Sequence, residues 1–306
     1  MPATVTLTLT PKQAADFELC TTLAARQMGI RRSDVALARV VKRSIDARRR
    51  PVKVNISIEI FADNEPQPAP LHFDYPDVSH ATEVIVVGSG PAGLFAALHL
   101  IECGLKPIIL ERGKRVLPRK QDIALINRNL DIDPDSNYAF GEGGAGTFSD
   151  GKLFTRSKKR GDYNKALQTL VFHGATPEIL YDAHPHIGTD RLPRIISNIC
   201  RTIVTAGGEI HFGAKVTGFK IEGGRIRGVW VGDTLIEGAA VVLATGHSAK
   251  DVYYTLHRDG VRLEAKPFAM GVRIEHPQQL IDSIQYHSPH RDEYLPAASY
   301  SLVEQI

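Results

Sequence analysis

Cysteine is scarce: the 306 residues hold three, Cys20, Cys103 and Cys200, far apart and with no CxxC pair. That spacing excludes a disulfide framework and a cysteine-based metal site. It fits a reducing compartment, so a cytoplasmic location is expected. Each cysteine lies in an apolar, helix-like stretch and reads as a small buried hydrophobe. Net charge is also low, formally +3, and calls for neither a nucleic acid nor a membrane surface as partner. The N-terminus, MPATVTLTLT, lacks the basic start and apolar core of a secretory signal. One nearly uncharged run, Val84 to Ile101, has the length of a membrane span. Gly88, Gly90, Pro91 and Gly93 cluster at its centre and divide it into a strand and a helix, so no membrane segment is expected.

What is present is an ordinary globular composition, 43% hydrophobic and 23% charged, in a chain long enough for two domains. Val5 to Leu9 alternates as a strand, and a helix-like stretch runs from Pro11 to near Gly29. Ser33 is a good N-cap for a second helix carrying Val35, Leu37, Val40 and Val41, which fades before Arg48. Val52, Val54, Ile56, Ile58 and Ile60 then alternate on one strand face. Strand, helix, helix, strand predicts a small α/β, ferredoxin-like module over residues 1–65. Pro66, Pro68, Pro70 and Pro76 follow among polar residues and mark a linker at 66–80.

A second domain, 81–265, opens with the strand at Glu83. The region from Arg112 to Arg160 shows little periodicity. Helical spacing returns with Leu192, Ile195, Ile196, Ile199, Ile203 and Val204, with Asp190 as cap and Gly207-Gly208 as stop. Short strands are expected at Glu209 to Phe212, Val216 to Ile221, Arg225 to Val231 and Thr234 to Glu237, a β-meander. The wholly apolar run Ala240 to Ala244 reads as a strand buried on both faces. Residues 266–306 would begin a substrate domain, led by a strand through Gly271 to Gln278.

The most informative segment is EVIVVGSGPAGLFAALHLIECGLKPIILERG. Its strand, Val84 to Val87, runs into Gly88-Ser89-Gly90-Pro91-Ala92-Gly93, then a helix to about Cys103 and a strand from Pro107 to Leu110. Gly88 permits the tight turn, Gly90 lets backbone approach a pyrophosphate, and Gly93 lets the helix pack on the strand. The helix N-terminus offers free N–H groups and partial positive charge to the phosphates. Glu111 sits close to the roughly 20-residue offset at which an acid accepts hydrogen bonds from a ribose. Such charge-assisted bonds are worth about 1.5–3 kcal/mol, and an acid there disfavours a 2′-phosphate. The fold class expected is therefore α/β: an FAD/NAD(P)-binding Rossmann-like domain with a β-meander, after the small N-terminal module.

The GSGPAG form followed by ERG resembles the adenine-binding unit of flavoprotein oxidoreductases, and Val241-Val242-Leu243-Ala244-Thr245-Gly246 resembles their second signature. With RSIDAR (Arg43 to Arg48), GEGGAGTFSDGKL (Gly141 to Leu153), HIGTD (His186 to Asp190), ATGHSA (Ala244 to Ala249) and GVRIEHPQ (Gly271 to Gln278), most of the chain resembles one family. These are the little-characterised FAD-dependent dehydrogenases, distantly similar to flavoproteins of the fumarate reductase and aminoacetone oxidase type. The resemblance implies FAD bound in extended form, with NAD(P)H as a further candidate electron donor or acceptor. Gly88, Ser89, Gly90, Pro91, Ala92, Gly93, Glu111 and Arg112 would hold the adenosine diphosphate half, and Val216 would meet the adenine through its backbone. Ala244, Thr245 and Gly246 would line the cofactor. Gly143, Gly144 and Gly146 could turn backbone N–H groups toward phosphate or flavin; the alternative for that loop is a plain surface turn. Family members continue past Ile306 and return to the Rossmann domain, so the chain is expected to be C-terminally truncated.

In such a protein the flavin does the redox chemistry and the chain supplies orientation and electrostatics. Hydride transfer between the flavin and a small organic substrate is expected. His247, Arg273 and His276 are weak candidates for a proton donor or a carboxylate clamp. His184 and His186 lack a third ligand, so no metal site is expected. The basic run Arg31, Arg32, Arg39, Lys42, Arg43, Arg48, Arg49, Arg50 and Lys53 leaves an alternative open. It is a non-catalytic nucleotide-binding chain acting with RNA or a partner, although no aromatics are interleaved for base stacking.

Overall fold

The structure is a computed structural model that describes residues 3–62, 65–155, 161–188, 190–267, 271 and 274–300. The chain divides into two compact units. One comprises Met1–Pro70, Pro177–Pro185 and Pro267–Ile306, the other Leu71–Thr176 and His186–Lys266.

The first unit begins β1 (Ala3–Leu9), α1 (Pro11–Ala15), α2 (Phe17–Gln27), β2 (Val35–Asp46) and β3 (Lys53–Ala62). Thr10 and Gln13 form a capping box on α1, and the Asp16 carboxylate caps α2 through the Leu19 N–H. The three strands form an antiparallel sheet in the order β1-β3-β2, the order of the first three strands of a ferredoxin-like fold. Val5, Leu7 and Leu9 face Ile58, Ile56 and Val54 across the β1–β3 pair, and all six are buried. Burial of each such side chain contributes roughly 1.5–3 kcal/mol.

The helix expected from Ser33 is instead β2, preceded by a single 3₁₀ turn at Arg32–Asp34. Val35, Val40, Val41 and Ile45 are β-branched and stiff at χ1, which favours a strand. Two register shifts, between Val35 and Leu37 and between Val40 and Lys42, break the two-residue alternation. Exposure then falls on Ala36, Arg39, Lys42 and Ile45, every third residue, which imitates a helical period.

In the second unit β4 (Glu83–Val87), α3 (Pro91–Glu102) and β5 (Lys106–Glu111) make the βαβ unit. Next come α4 (Val116–Asn127), α5 (Tyr163–Phe172), α6 (Leu192–Thr205), β6 (Glu209–Phe212), β7 (Val216–Glu222), β8 (Arg225–Val231), β9 (Thr234–Glu237), β10 (Ala240–Leu243) and α7 (Lys250–Arg258). Strands β10-β4-β5-β6 form one parallel sheet, and β7-β8-β9 form the antiparallel meander. This is the expected Rossmann-like α/β architecture. Ile85, Ile109, Ile101, Ile199 and Ile203 are almost fully buried.

Several expectations are corrected here. β10 is an edge strand, with Leu243 43% exposed, not a strand covered on both faces. Its covering is partial: Val241 packs against the core formed with the meander, while Ala240 and Leu243 are exposed. Asp190 does not cap α6: the N-cap is Arg191, which makes no side-chain cap bond, while Gly207 does end the helix at φ +90°. Cys103 is exposed, whereas Cys20 and Cys200 are buried. α4 occupies the stretch that lacked periodicity. Its buried positions are Val116, Arg119 and Ile123, a helical spacing hidden by an arginine in the middle.

The last helix, α8 (Gln278–Tyr286), belongs to the first unit. Tyr286, Leu295 and Ala298 share one core with Cys20, Ala24 and the three strands, and Ile281 packs against it. The stretch expected to open a substrate domain therefore shares the N-terminal core. Among its described residues, Gly271 and 274–277 form no strand.

Candidate cofactor site

The C-terminal ends of parallel strands are where α/β sheets bind ligands, and five loops converge there. The Gly88 N–H donates to Leu110 O at 2.8 Å, tying the first turn to β5. The Ala244 N–H donates to Val87 O at 2.9 Å, tying the Ala-Thr-Gly turn to β4. The Ala214 N–H donates to Glu111 O at 2.8 Å, which brings the start of β7 and its buried residue Val216 to the end of β5. The Gly143 N–H donates to Ser89 O at 2.9 Å and joins the long glycine loop to the GSGPAG turn.

Glycine is required at these joints. Gly88 has φ +105°, and a Cβ there would lie 2.6 Å from Ala244 O. A Cβ on Gly93 would lie 1.9 Å from Gly88 O, and one on Gly144 3.0 Å from Gly90 Cα. Gly90 is the N-cap of α3 and Pro91 its first residue, no side chain caps the helix, and Ala92 is exposed. An uncapped helix N-terminus behind a turn of bare backbone suits a diphosphate, so these residues fit FAD.

Glu111 is 4% exposed and its two oxygens are fully engaged. Oε2 accepts from the Ser89 N–H and hydroxyl, both at 2.8 Å; Oε1 accepts from the Gly113 N–H at 2.9 Å and the Gly141 N–H at 3.0 Å. Four donors match the four lone-pair sites of a carboxylate. The side chain expected to meet a ribose instead spends all four acceptor sites on clamping three turns together. Arg112 is committed as well: its guanidinium pairs with Asp251 at 2.6 Å and with Asp135 at 3.5 Å, 4.4 Å from the centre of the Phe140 ring.

Sequence reading missed two further buried charged residues, Arg119 and Glu142. Arg119 is fully buried, and burial lowers its pKa to about 10 against the upward pull of Glu111 and Glu142. Glu142 is 6% exposed and accepts the Val116 N–H at 2.7 Å, at the start of α4. Burial pushes the Cys200 thiol up, and the neighbouring Glu142 carboxylate adds to that. The signal available in the sequence was the helical spacing of Arg119 with Val116 and Ile123.

Of the catalytic candidates, His247 is exposed in the turn after Gly246. His276 lies in the first unit, its Nδ1 2.7 Å from the Tyr300 hydroxyl. Arg273 lies outside the described residues. Among the described residues no group of three His, Cys, Asp or Glu side chains is placed to hold a metal ion. None of their helices is long and apolar enough to cross a membrane. In the basic run, Arg31, Arg32, Arg39, Arg43 and Arg48 pair with Asp34, Glu18, Glu59, Asp182 and Asp46.

Comparison with known proteins follows the same division. Residues 83–117 match the FAD binding domain family, residues 267–306 a family described as FAD-dependent protein, C-terminal domain-like, and residues 1–61 a domain of unknown function. An uncharacterized protein of Clostridium beijerinckii is 38% identical over 296 residues, 92% of this chain and 55% of that one. YdiS of Escherichia coli, described as a probable electron transfer flavoprotein-quinone oxidoreductase, is 28% identical over 164 residues, 54% of this chain and 36% of its own. The chain spans about half the length, or less, of these relatives. Among solved structures, THI4 of Thermovibrio ammonificans overlaps 58% of this chain and 62% of its own, at TM-score 0.37 and 22% identity. Glycine oxidase of Bacillus cereus overlaps 58% and 60%, at TM-score 0.30 and 15% identity. Overlaps this shallow separate neither folds nor functions. By these matches the chain is similar to an FAD binding domain over residues 83–117 and to an FAD-dependent protein C-terminal domain over residues 267–306. FAD is its cofactor.

Proposed function

We propose that the chain is the FAD-binding part of a cytoplasmic dehydrogenase that transfers hydride between the flavin and a small organic substrate. NAD(P)H is the proposed partner for the flavin's other half-reaction. The carrying observation is the convergence of Gly88 to Gly93, Glu111, Gly141 to Thr147, Val216 and Ala244 to Gly246 at one end of the parallel sheet. In this reading the first turn of α3 receives the diphosphate, Glu111 and the start of β7 flank the adenosine, and the two remaining glycine turns face the rest of the cofactor. When bound, FAD supplies the hydride acceptor and donor. His247 is the candidate proton donor, because it follows the Ala-Thr-Gly turn and is exposed.

The test is a visible spectrum of the purified chain before and after FAD is added, followed by anaerobic addition of NADH or NADPH. Flavin bands that bleach with one of these donors support the reading. FAD that stays free on gel filtration sinks it.

A further inference from the structure

Arg119 offers five N–H donors, and every one has a partner. Nε donates to Asn137 O at 2.9 Å. Nη1 donates to Glu142 O at 2.7 Å and to Thr147 Oγ1 at 3.1 Å, and Nη2 to Tyr138 O at 3.2 Å and Gly144 O at 2.8 Å. No carboxylate oxygen is among the five; four are backbone carbonyls. A fully buried charge whose direct partners include no carboxylate is expensive unless its geometry is needed. The geometry serves one segment. Three acceptors, Glu142 O, Gly144 O and Thr147 Oγ1, lie in the Gly141 to Thr147 loop, and the other two lie just before it.

That loop has reason to need a fixed core. Gly141, Gly143 and Gly144 have φ of +118°, +78° and +68°, and glycine-rich backbone loses the most freedom on ordering. The Arg119 side chain runs against it, its Cδ 2.5 Å from where a Gly141 Cβ would be. The far side of the same loop meets the phosphate turn, through the Gly143 N–H on Ser89 O and the packing of Gly144 on Gly90. We propose that Arg119 is a positioning residue for FAD. It holds the Gly141 to Thr147 loop in the one shape that completes the cofactor's wall against the GSGPAG turn. It touches no cofactor atom in this role. The proposal rests on the reading that FAD binds at this end of the sheet.

The test compares the unaltered chain with Arg119→Lys and Thr147→Val. Three readouts are taken: FAD affinity by flavin fluorescence, visible circular dichroism of the bound flavin, and amide exchange in residues 141–147 before FAD is added. Lysine keeps the charge but has three donors for five acceptors. Arg119→Lys is expected to weaken FAD binding about 10- to 100-fold, alter the dichroism of whatever flavin remains bound, and speed amide exchange in the loop. Thr147→Val, which removes one acceptor and tests the same link where the lysine variant folds poorly, is expected to cost about 3- to 10-fold with the same signs. A merely structural arginine would lower the melting temperature while leaving affinity and dichroism of the folded protein unchanged, and that result overturns the proposal. If the unaltered chain takes up no FAD, the underlying reading fails first and the proposal with it.

Discussion

Ser89 and Glu111 stand 22 residues apart and are joined twice: both the amide and the hydroxyl of Ser89 donate to Oε2, each at 2.8 Å. The acid at the end of β5 therefore fixes the turn before α3 directly. The residue from which the sequence led us to expect a ribose contact is what holds the turn before α3 in shape, so a substitution there acts first on that turn.

Glu111→Gln should show it. One carboxylate oxygen becomes an NH₂, leaving two buried donors without an acceptor, at about 1–3 kcal/mol each. We expect a stability loss of about 2–6 kcal/mol in urea unfolding, together with loss of FAD uptake. A loss of FAD with unchanged stability would mean that the four protein hydrogen bonds do not exist.

Gly93→Ala and Gly146→Ala separate packing from binding. The first puts a methyl 1.9 Å from Gly88 O and should leave little folded protein in a soluble fraction. The second meets nothing within 4 Å and has no positive φ, so stability should stay within about 0.5 kcal/mol. If the flavin fills the space beside Gly146, this silent change will still weaken FAD; equal affinity would remove that glycine from the site.

His173 is expected to make the fold acid-sensitive. It is 4% exposed, its Nδ1 is 2.7 Å from Thr169 O, and burial holds its pKa below the usual histidine value. As pH falls through about 6.5, the unfolded chain takes up a proton that the folded one refuses. The stability this contributes is whole above that pH and is lost below it. Melts from pH 7.5 to 5.5 should show a steeper decline for the native chain than for His173→Gln. Parallel curves would contradict the assignment.

Thiol reactivity should single out Cys103. It is exposed, while burial raises the thiol pKa of both Cys20 and Cys200. With a chromogenic disulfide reagent, one thiol of the three should react quickly in the native chain. Cys103→Ser should abolish that phase and leave the slow ones.

The Rossmann unit was legible in sequence because its glycines, strand and acid are local and each has a single physical reason to be there. The β-meander was legible because its turns are marked by Gly223-Gly224 and Gly232-Asp233. β2 was hidden because two bulges moved its exposed positions to a three-residue spacing. α4 was hidden because a core position holds Arg119, and no hydropathy pattern announces a buried cation. The four protein donors on Glu111 were out of reach for another reason: they come from three segments whose meeting is a property of the assembled sheet.

The shared core of the first unit has a consequence for how the chain is made. Its sheet is finished at Ala62, yet Tyr286, Leu295 and Ala298, which help cover that sheet, are translated more than 220 residues later. At about 5–20 residues per second that is a wait of about 10–45 s. The second unit, whose parts all lie between Leu71 and Lys266, can settle within that interval. The portion synthesised first is thus the one completed last: α2 can pack on its sheet early, but the part of the core filled by Tyr286, Leu295 and Ala298 stays open until they emerge.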